Sequence, residues 1–376
     1  MGQRQGETQR LAITCWDYAW PLGRDYGTVP GAVEARLDEA VARGFNAVRL
    51  DPYPHLVATP ANSVHLDRCE ILTEPDPRRG LPGGAHTVPI RKALRRVLDA
   101  AAERDLALWF SGFFVPDSRA RRSFVRRPGD FVDVWAETLD LVDRWGHLDR
   151  VVAVDFCHHF PFPPWSHGAL RRVFGQAPHR PLPDRWRPEQ EAEVERYLLE
   201  VPRALRAHFP NLRVGLSAAA GHSEYLRQLD TSELDFLDFG LWLDDDPRFR
   251  LATGADLPVP GLLGRRLGPL RGALLSATGE HWRGRVYDLL NRRLAFARIR
   301  RLQPVLGEGW LLPAASPEQW PAAWARFSEA LVARAVADGV QALTPTSLAT
   351  PNHPWLWDES DWLAHLNHLI LTGPGR

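Results

Sequence analysis

Two rhythms of apolar residues alternate along this chain. Over Val33 to Ala42, Val33, Leu37, Ala40 and Val41 fall at helical intervals; Gly44 stops that helix, and Asn46 to Leu50 reads as a strand. The unit then repeats. Ile90 to Ala102 is a predicted helix, with Leu94, Val97, Leu98 and Ala101 on one face, ahead of a strand at Leu106 to Phe110. Further pairs are helix Phe131 to Trp145 with strand Val151 to Phe156, helix Glu189 to His208 with strand Leu212 to Leu216, and helix Ser223 to Leu229 with strand Phe236 to Leu243. Helix Tyr287 to Arg301 with strand Val305 to Gly307, and helix Gln319 to Ala337 with strand Gln341 to Leu343, complete the series before a last helix at Trp362 to Ile370. A first strand at Leu11 to Cys15 brings the strands to eight. Helix and strand in alternation imply crossover connections and a parallel sheet. Eight such strands, with no glycine-rich phosphate fingerprint after the first, favour a closed (β/α)8 TIM barrel over an open doubly wound sheet. One barrel domain is expected over residues 1–376.

Three connections are too long to be turns: Val57 to Pro89, Pro161 to Pro188, and Asp244 to about Trp282. Each follows a strand, so each is expected as an insertion on the C-terminal face, where barrels of this kind carry their sites.

Composition narrows the partners. The 46 basic and 46 acidic side chains balance, which leaves no overall field for nucleic acid or a membrane surface. No apolar run approaches a membrane span and the first residues, MGQRQGETQR, are polar, so a cytoplasmic location is expected. Cys15, Cys69 and Cys157 have no metal-type spacing and are expected as free thiols. The 15 tryptophans exceed ordinary use and suit a site for ring-shaped ligands.

The polar residues at the strand ends hold the candidate chemistry: Trp16 and Asp17, then Arg49, Asp51 and His55, Ser111, Asp155 with His158 and His159, Ser217, Trp242, Glu308 with Trp310, and Thr346, Asn352 and Trp357. A carboxylate at one strand end, an arginine across the barrel and indoles round the rim suit a cationic, sugar-like transition state. Arg49 lies in an otherwise apolar strand, where a charge is costly unless paired, and Glu308 is its expected partner. Bland readings stand beside the sharp ones. Asp17, Asp51 and Asp155 also suit acceptors that merely support other side chains, and His55 a packed loop histidine. Adjacent histidines on an extended strand point to opposite sides, so His158 and His159 make a poor chelate unless the strand bulges; a metallohydrolase is the third reading, behind those without a metal, and no metal is expected. Arg119, Arg121, Arg122, Arg126 and Arg127 form a cationic run that suits either a substrate phosphate or a solvated surface.

LAITCWDYAW at 11, GFNAVRLDPYPHL at 44, VVAVDFCHHFP at 151, PVLGEGW at 304 and PNHPWLW at 351 resemble, in order and strand placement, the cellulase-like family of the glycoside hydrolase clan built on (β/α)8 barrels. The resemblance runs from about Leu11 to Ile370. It implies that Glu308, ending the seventh strand, is the nucleophile and that Arg49 on the second strand orients it. The family's acid/base stretch resembles Asp-Leu-Cys-Asn-Glu-Phe-Pro. This chain has Asp155, Phe156, Cys157, His158, His159, Phe160 and Pro161, so His159 stands where the acid/base glutamate is expected. The resulting expectation is a glycosidase or transglycosidase acting on a small, activated or phosphorylated glycoside, without cofactor, metal, nucleic acid or membrane. Glu308, His159 and Arg49 are then catalytic, and Trp16, Asp17, Asp51, His55, Asp155, His158, Trp242, Trp310, Asn352 and Trp357 bind substrate. Arg49 should bond Glu308, a His159 ring nitrogen should stand about 5–6 Å from its carboxylate, and Trp310 and Trp357 should floor the same pocket. The alternative is a non-catalytic sugar-binding relative.

Overall fold

The computed structural model describes residues 9–18, 20–22, 31–59, 67–75, 83–175, 182, 185–218, 223–241, 248, 262–309, 321–347 and 357–373. Its elements begin β1 (Leu11–Asp17), α1 (Ala32–Ala42), β2 (Ala47–Leu50), α2 (Pro54–Val57), β3 (Cys69–Thr73), β4 (Gly84–Val88), α3 (Ile90–Glu103) and β5 (Ala107–Ser111). There follow α4 (Pro128–Arg144), β6 (Val151–Asp155), α5 (His167–Phe174), α6 (Pro188–His208), β7 (Val214–Ala218), α7 (Ser223–Leu226) and β8 (Phe236–Phe239). A helix at Leu262–Arg300, β9 (Gln303–Leu306), a helix at Pro321–Ala337, β10 (Ala342–Ser347) and a helix at Ser360–Thr372 complete them. Eight of the described strands close in the order β1-β10-β9-β8-β7-β6-β5-β2, every pairing parallel. The expected (β/α)8 barrel is therefore present.

Local chemistry explains the helices. Proline at the first position starts α4 and α6, and the Asp130 carboxylate, in the first turn of α4, reaches back to accept the N–H groups of Arg126 and Arg127 just ahead of the helix. Helix α3 buries Ile90, Leu94, Val97, Leu98 and Ala101, each fully buried branched side chain worth roughly 1.5–3 kcal/mol.

Helix α2 stands between β2 and the first long connection, which holds more order than expected: β3 and β4 pair within it as an antiparallel hairpin outside the barrel. Likewise α5 lies within the second. The third overlaps the helix that starts at Leu262, well ahead of the expected Tyr287.

Inside the barrel, one apolar layer comprises Leu11, Ile13, Ala47, Trp109, Ala153, Phe236, Val305 and Ala342. Trp109 and Phe236 meet edge to face at 4.6 Å, and the alanines make room for them. Two residues further along their strands, on the same face, come Cys15, Arg49, Ser111, Asp155, Asp238, Gly307 and Thr344. The next inward layer is thus polar, and it supports the C-terminal mouth.

Candidate active site

Arg49 occupies the centre of this polar layer, fully buried. Its Nη1 donates to Asp238 Oδ2 at 2.5 Å and to the Gly307 carbonyl at 3.1 Å, and Nε donates to Ser111 Oγ at 2.8 Å. Its Nη2 reaches Asp155 Oδ2 at 3.4 Å and lies 3.2 Å from His158 Nδ1. The expected Arg49–Glu308 bond is replaced by the Arg49–Asp238 pair, because Asp238 faces the guanidinium across the barrel while the Glu308 carboxylate turns towards the histidines.

Asp238 also accepts the Gly307 N–H at 2.6 Å on Oδ1. The Gly307 carbonyl takes three donors: Arg49, Cys15 Sγ at 2.9 Å and Thr344 Oγ1 at 2.9 Å. Both backbone polar groups of Gly307, the residue before Glu308, are therefore held. A Cβ at position 307 would lie 2.5 Å from Asp238 Oδ2 and 2.6 Å from Arg49 Nη1, so only glycine fits. Asp238 was missed in the sequence, although it obeys the rule that exposed Arg49: a charge inside the apolar strand Phe236–Phe239 needs a buried partner.

Glu308 follows β9 and is 9% exposed. Its Oε1 lies 2.8 Å from His158 Nε2, without the alignment of a hydrogen bond, and its Oε2 lies 3.4 Å from His159 Nε2. Both rings reach one carboxylate because His159 adopts a left-handed backbone, φ 54°, which turns its side chain to the same side as that of His158. The rings stack at 3.9 Å, and Phe113 stacks on the other face of His158 at 4.1 Å. The expectation that these histidines point apart is corrected, as is the 5–6 Å separation of His159 from Glu308. Among the described residues, His158, His159 and Glu308 form the one three-member group of metal-ligand type.

Behind them, Ser217 Oγ donates to Asp155 Oδ2 at 2.6 Å, accepts the His159 N–H at 3.1 Å and lies 3.0 Å from His158 Nδ1. Burial opposes protonation of His158, but Glu308 and then Asp155 push its pKa up to about 9. Burial likewise opposes ionisation of Glu308, yet His158 and then His159 hold it well below the ordinary carboxylate range. Burial and the charge on His158 lower His159. Burial raises Asp238 to about 6 against the pull of Arg49.

The remaining expected residues divide. Asp155 and His158 belong to this cluster. Trp16 is buried in the core. Asp51 Oδ1 accepts the Tyr53 N–H at 2.7 Å, which shapes the turn into α2. His55 is fully buried, its Nε2 2.9 Å from the Val115 carbonyl and its ring against Phe114, and burial lowers its pKa to about 3. A neutral packed histidine of this kind corrects the substrate-binding expectation for His55. Trp357 is corrected too: it stacks on Phe45, ahead of β2 and so at the barrel end opposite Glu308, under the Arg43 guanidinium, and donates to Glu39 Oε2. Asp17 ends β1 with its side chain outside those described, and Trp242, Trp310 and Asn352 lie outside the described residues. In the second connection Trp165 stands edge-on to Phe113 and 6.2 Å from His158, whereas Trp186 stacks on Tyr225. Of the arginine run, Arg121 is buried and its Nη1 donates to the Leu56 carbonyl. Arg126 and Arg127 join Arg171 and Arg172 round a separate cleft of about 350 Å³.

The sequence profile of the cellulase-like family, described as sugar-binding cellulase-like, matches residues 13–371. No curated protein matches the sequence. A Parabacteroides distasonis protein, a candidate glycoside hydrolase, superposes with a TM-score of 0.79 at 20% identity, over 98% of this chain and 95% of that one. A glycoside hydrolase family 5 mannosidase from Rhizomucor miehei gives 0.52 at 10% identity, over 98% and 95% of the two chains. An endo-β-1,4-mannanase from Thermotoga petrophila gives 0.52 at 11%, over 98% and 78%. At these identities the structural likeness speaks for the barrel alone.

Proposed function

The chain belongs to the cellulase-like family, and from that premise we propose that it is a glycosidase or transglycosidase of small glycosides with Glu308 as its nucleophile. The observation that carries the reading is the state of Glu308: a carboxylate at the barrel mouth, ionised against burial by His158, next to a Gly307 backbone clamped by Arg49 and Asp238. Such a group attacks the anomeric carbon and breaks its bond to the aglycone oxygen, which leaves with a proton, to give a glycosyl-enzyme that water or a second alcohol then resolves. His159 acts as the acid and then the base. It is the more accessible histidine, with 22% of its side chain exposed, and although burial and then the charge on His158 lower its pKa, a ring nitrogen facing Glu308 is placed to pass a proton. Retaining chemistry needs about 5–5.5 Å between the two groups, so an entering sugar ring displaces the His159 ring by roughly 2 Å from its 3.4 Å contact. His158, held between Phe113 and His159, stays charged and keeps Glu308 ionised.

The same 3.4 Å contact favours a second reading, a sugar-binding relative whose mouth is closed by the histidines. Aryl glycosides and glycosyl fluorides separate the two, because a good leaving group needs no acid. Turnover that disappears in E308Q supports the enzyme. Saturable sugar binding with no turnover of any such substrate supports the binding protein. Among the described residues no helix is long and apolar enough to cross a membrane, and a cytoplasmic setting would suit small, activated or phosphorylated glycosides.

A further inference from the structure

We propose that His158, His159 and Glu308 together form a binding site for a first-row divalent cation of the zinc class. Two imidazoles and one carboxylate are a ligand set that such ions favour, and they leave a further coordination position open. The donor atoms already converge: Nε2 of His158 and Nε2 of His159 stand 2.8 and 3.4 Å from the two Glu308 oxygens, and all three donors lie within 4.8 Å of one another. A tetrahedral ion with bonds of ~2.0–2.1 Å sets neighbouring donors about 3.3–3.4 Å apart, so small adjustments complete the site.

Three further features fit a cation. Ser217 Oγ and Asp155 Oδ2 lie 3.0 and 3.6 Å from His158 Nδ1, the kind of partner that fixes a ligating imidazole with its other nitrogen free. The Glu308 Oε1 oxygen, buried, meets His158 Nε2 without a directed hydrogen bond, as expected of two donors aimed at a common point. The left-handed backbone at His159 is what brings two successive side chains to one point.

The site stands apart from the glycosidase reading, since cation binding is measurable on protein that turns nothing over. Where both hold, a bound ion occupies the Glu308 oxygens, withdraws the nucleophile and inhibits the enzyme reversibly.

The test uses full-length protein stripped with a chelator and titrated with ZnCl2 by calorimetry and with CoCl2 by visible absorption. Expected are one equivalent of Zn²⁺ and d–d bands of a low-coordinate Co²⁺ site. S217A should weaken binding roughly 10–100-fold, as loss of a supporting group does, and H159Q and E308Q should weaken it more. Circular dichroism checks that each variant folds, and H159N serves as the second variant at the partly exposed position. Absence of saturable 1:1 binding, or binding unchanged in folded H159Q and E308Q, overturns the proposal. Turnover by metal-free protein without zinc binding sinks this proposal alone, whereas zinc binding without glycoside turnover sinks only the glycosidase reading.

Discussion

Replacing Gly307 by alanine asks one methyl group to enter a crowded point of the polar layer. Its Cβ would stand 2.5 Å from Asp238 Oδ2, 2.6 Å from Arg49 Nη1 and 2.8 Å from Asp238 Cγ, about 1 Å inside ordinary contact. The two side chains are fully buried and are themselves 2.5 Å apart, so neither retreats without loosening the other. Overpacking costs about 1–3 kcal/mol, and a broken buried ion pair about 3–5 kcal/mol. A partial separation places G307A about 3 kcal/mol below the wild type. With an unfolding entropy of about 2.1 cal/mol/K per residue over 376 residues, that corresponds to a fall in Tm of roughly 4 °C. Urea unfolding followed by tryptophan fluorescence, together with a thermal scan, measures it. Gly129, in the first turn of α4, is the internal control, because a Cβ there meets nothing within 4 Å. G129A should be neutral or stabilising by about 0.4–1 kcal/mol, since alanine restricts the unfolded chain. If G307A unfolds with the same midpoint as G129A, the clamp on the Glu308 peptide is not as tight as described.

Other variants probe the separate roles. H159A should slow hydrolysis of a poor leaving group roughly 10²–10⁴-fold and leave dinitrophenyl glycosides within about tenfold, and equal effects on both would contradict an acid role. W357A should cost about 3–5 kcal/mol in urea unfolding while sugar affinity stays unchanged, because its indole packs on Phe45 and Arg43 away from the mouth. His55 has a folded pKa of about 3 against about 6.5 unfolded, so the unfolded chain binds the extra proton and stability falls as pH drops below 6.5. Between pH 6.5 and 5 that amounts to about 1–2 kcal/mol. H55Q should flatten this part of the stability–pH curve, and an unchanged slope would show that His55 is not held neutral.

Much of the scaffold was legible because each strand is a short apolar run behind an amphipathic helix, and periodicity records burial directly. The hairpin of β3 and β4 was hidden inside a connection read as loop, although Cys69–Thr73 alternates buried and exposed positions. Arg49 was legible as a lone charge in an apolar strand, and Asp238 would have been by the same rule. Their pairing was not, because which strand ends face each other depends on barrel closure. The joint approach of His158 and His159 to Glu308 rests on one left-handed residue, and a histidine carries only a weak preference for that conformation. Tryptophans misled for a related reason. Trp357 follows a strand, as a rim residue would, but the chain carries it to the opposite end of the barrel.

The most direct test of the central claim is covalent trapping. Metal-free protein is incubated with 2-deoxy-2-fluoro glycosides carrying fluoride or dinitrophenolate, and intact mass and peptide mapping locate any label. A single glycosyl adduct on Glu308, absent from E308Q, is the predicted result. Turnover of glycosides with Glu308 left unlabelled, or labelling that persists in E308Q, would contradict its assignment as the nucleophile.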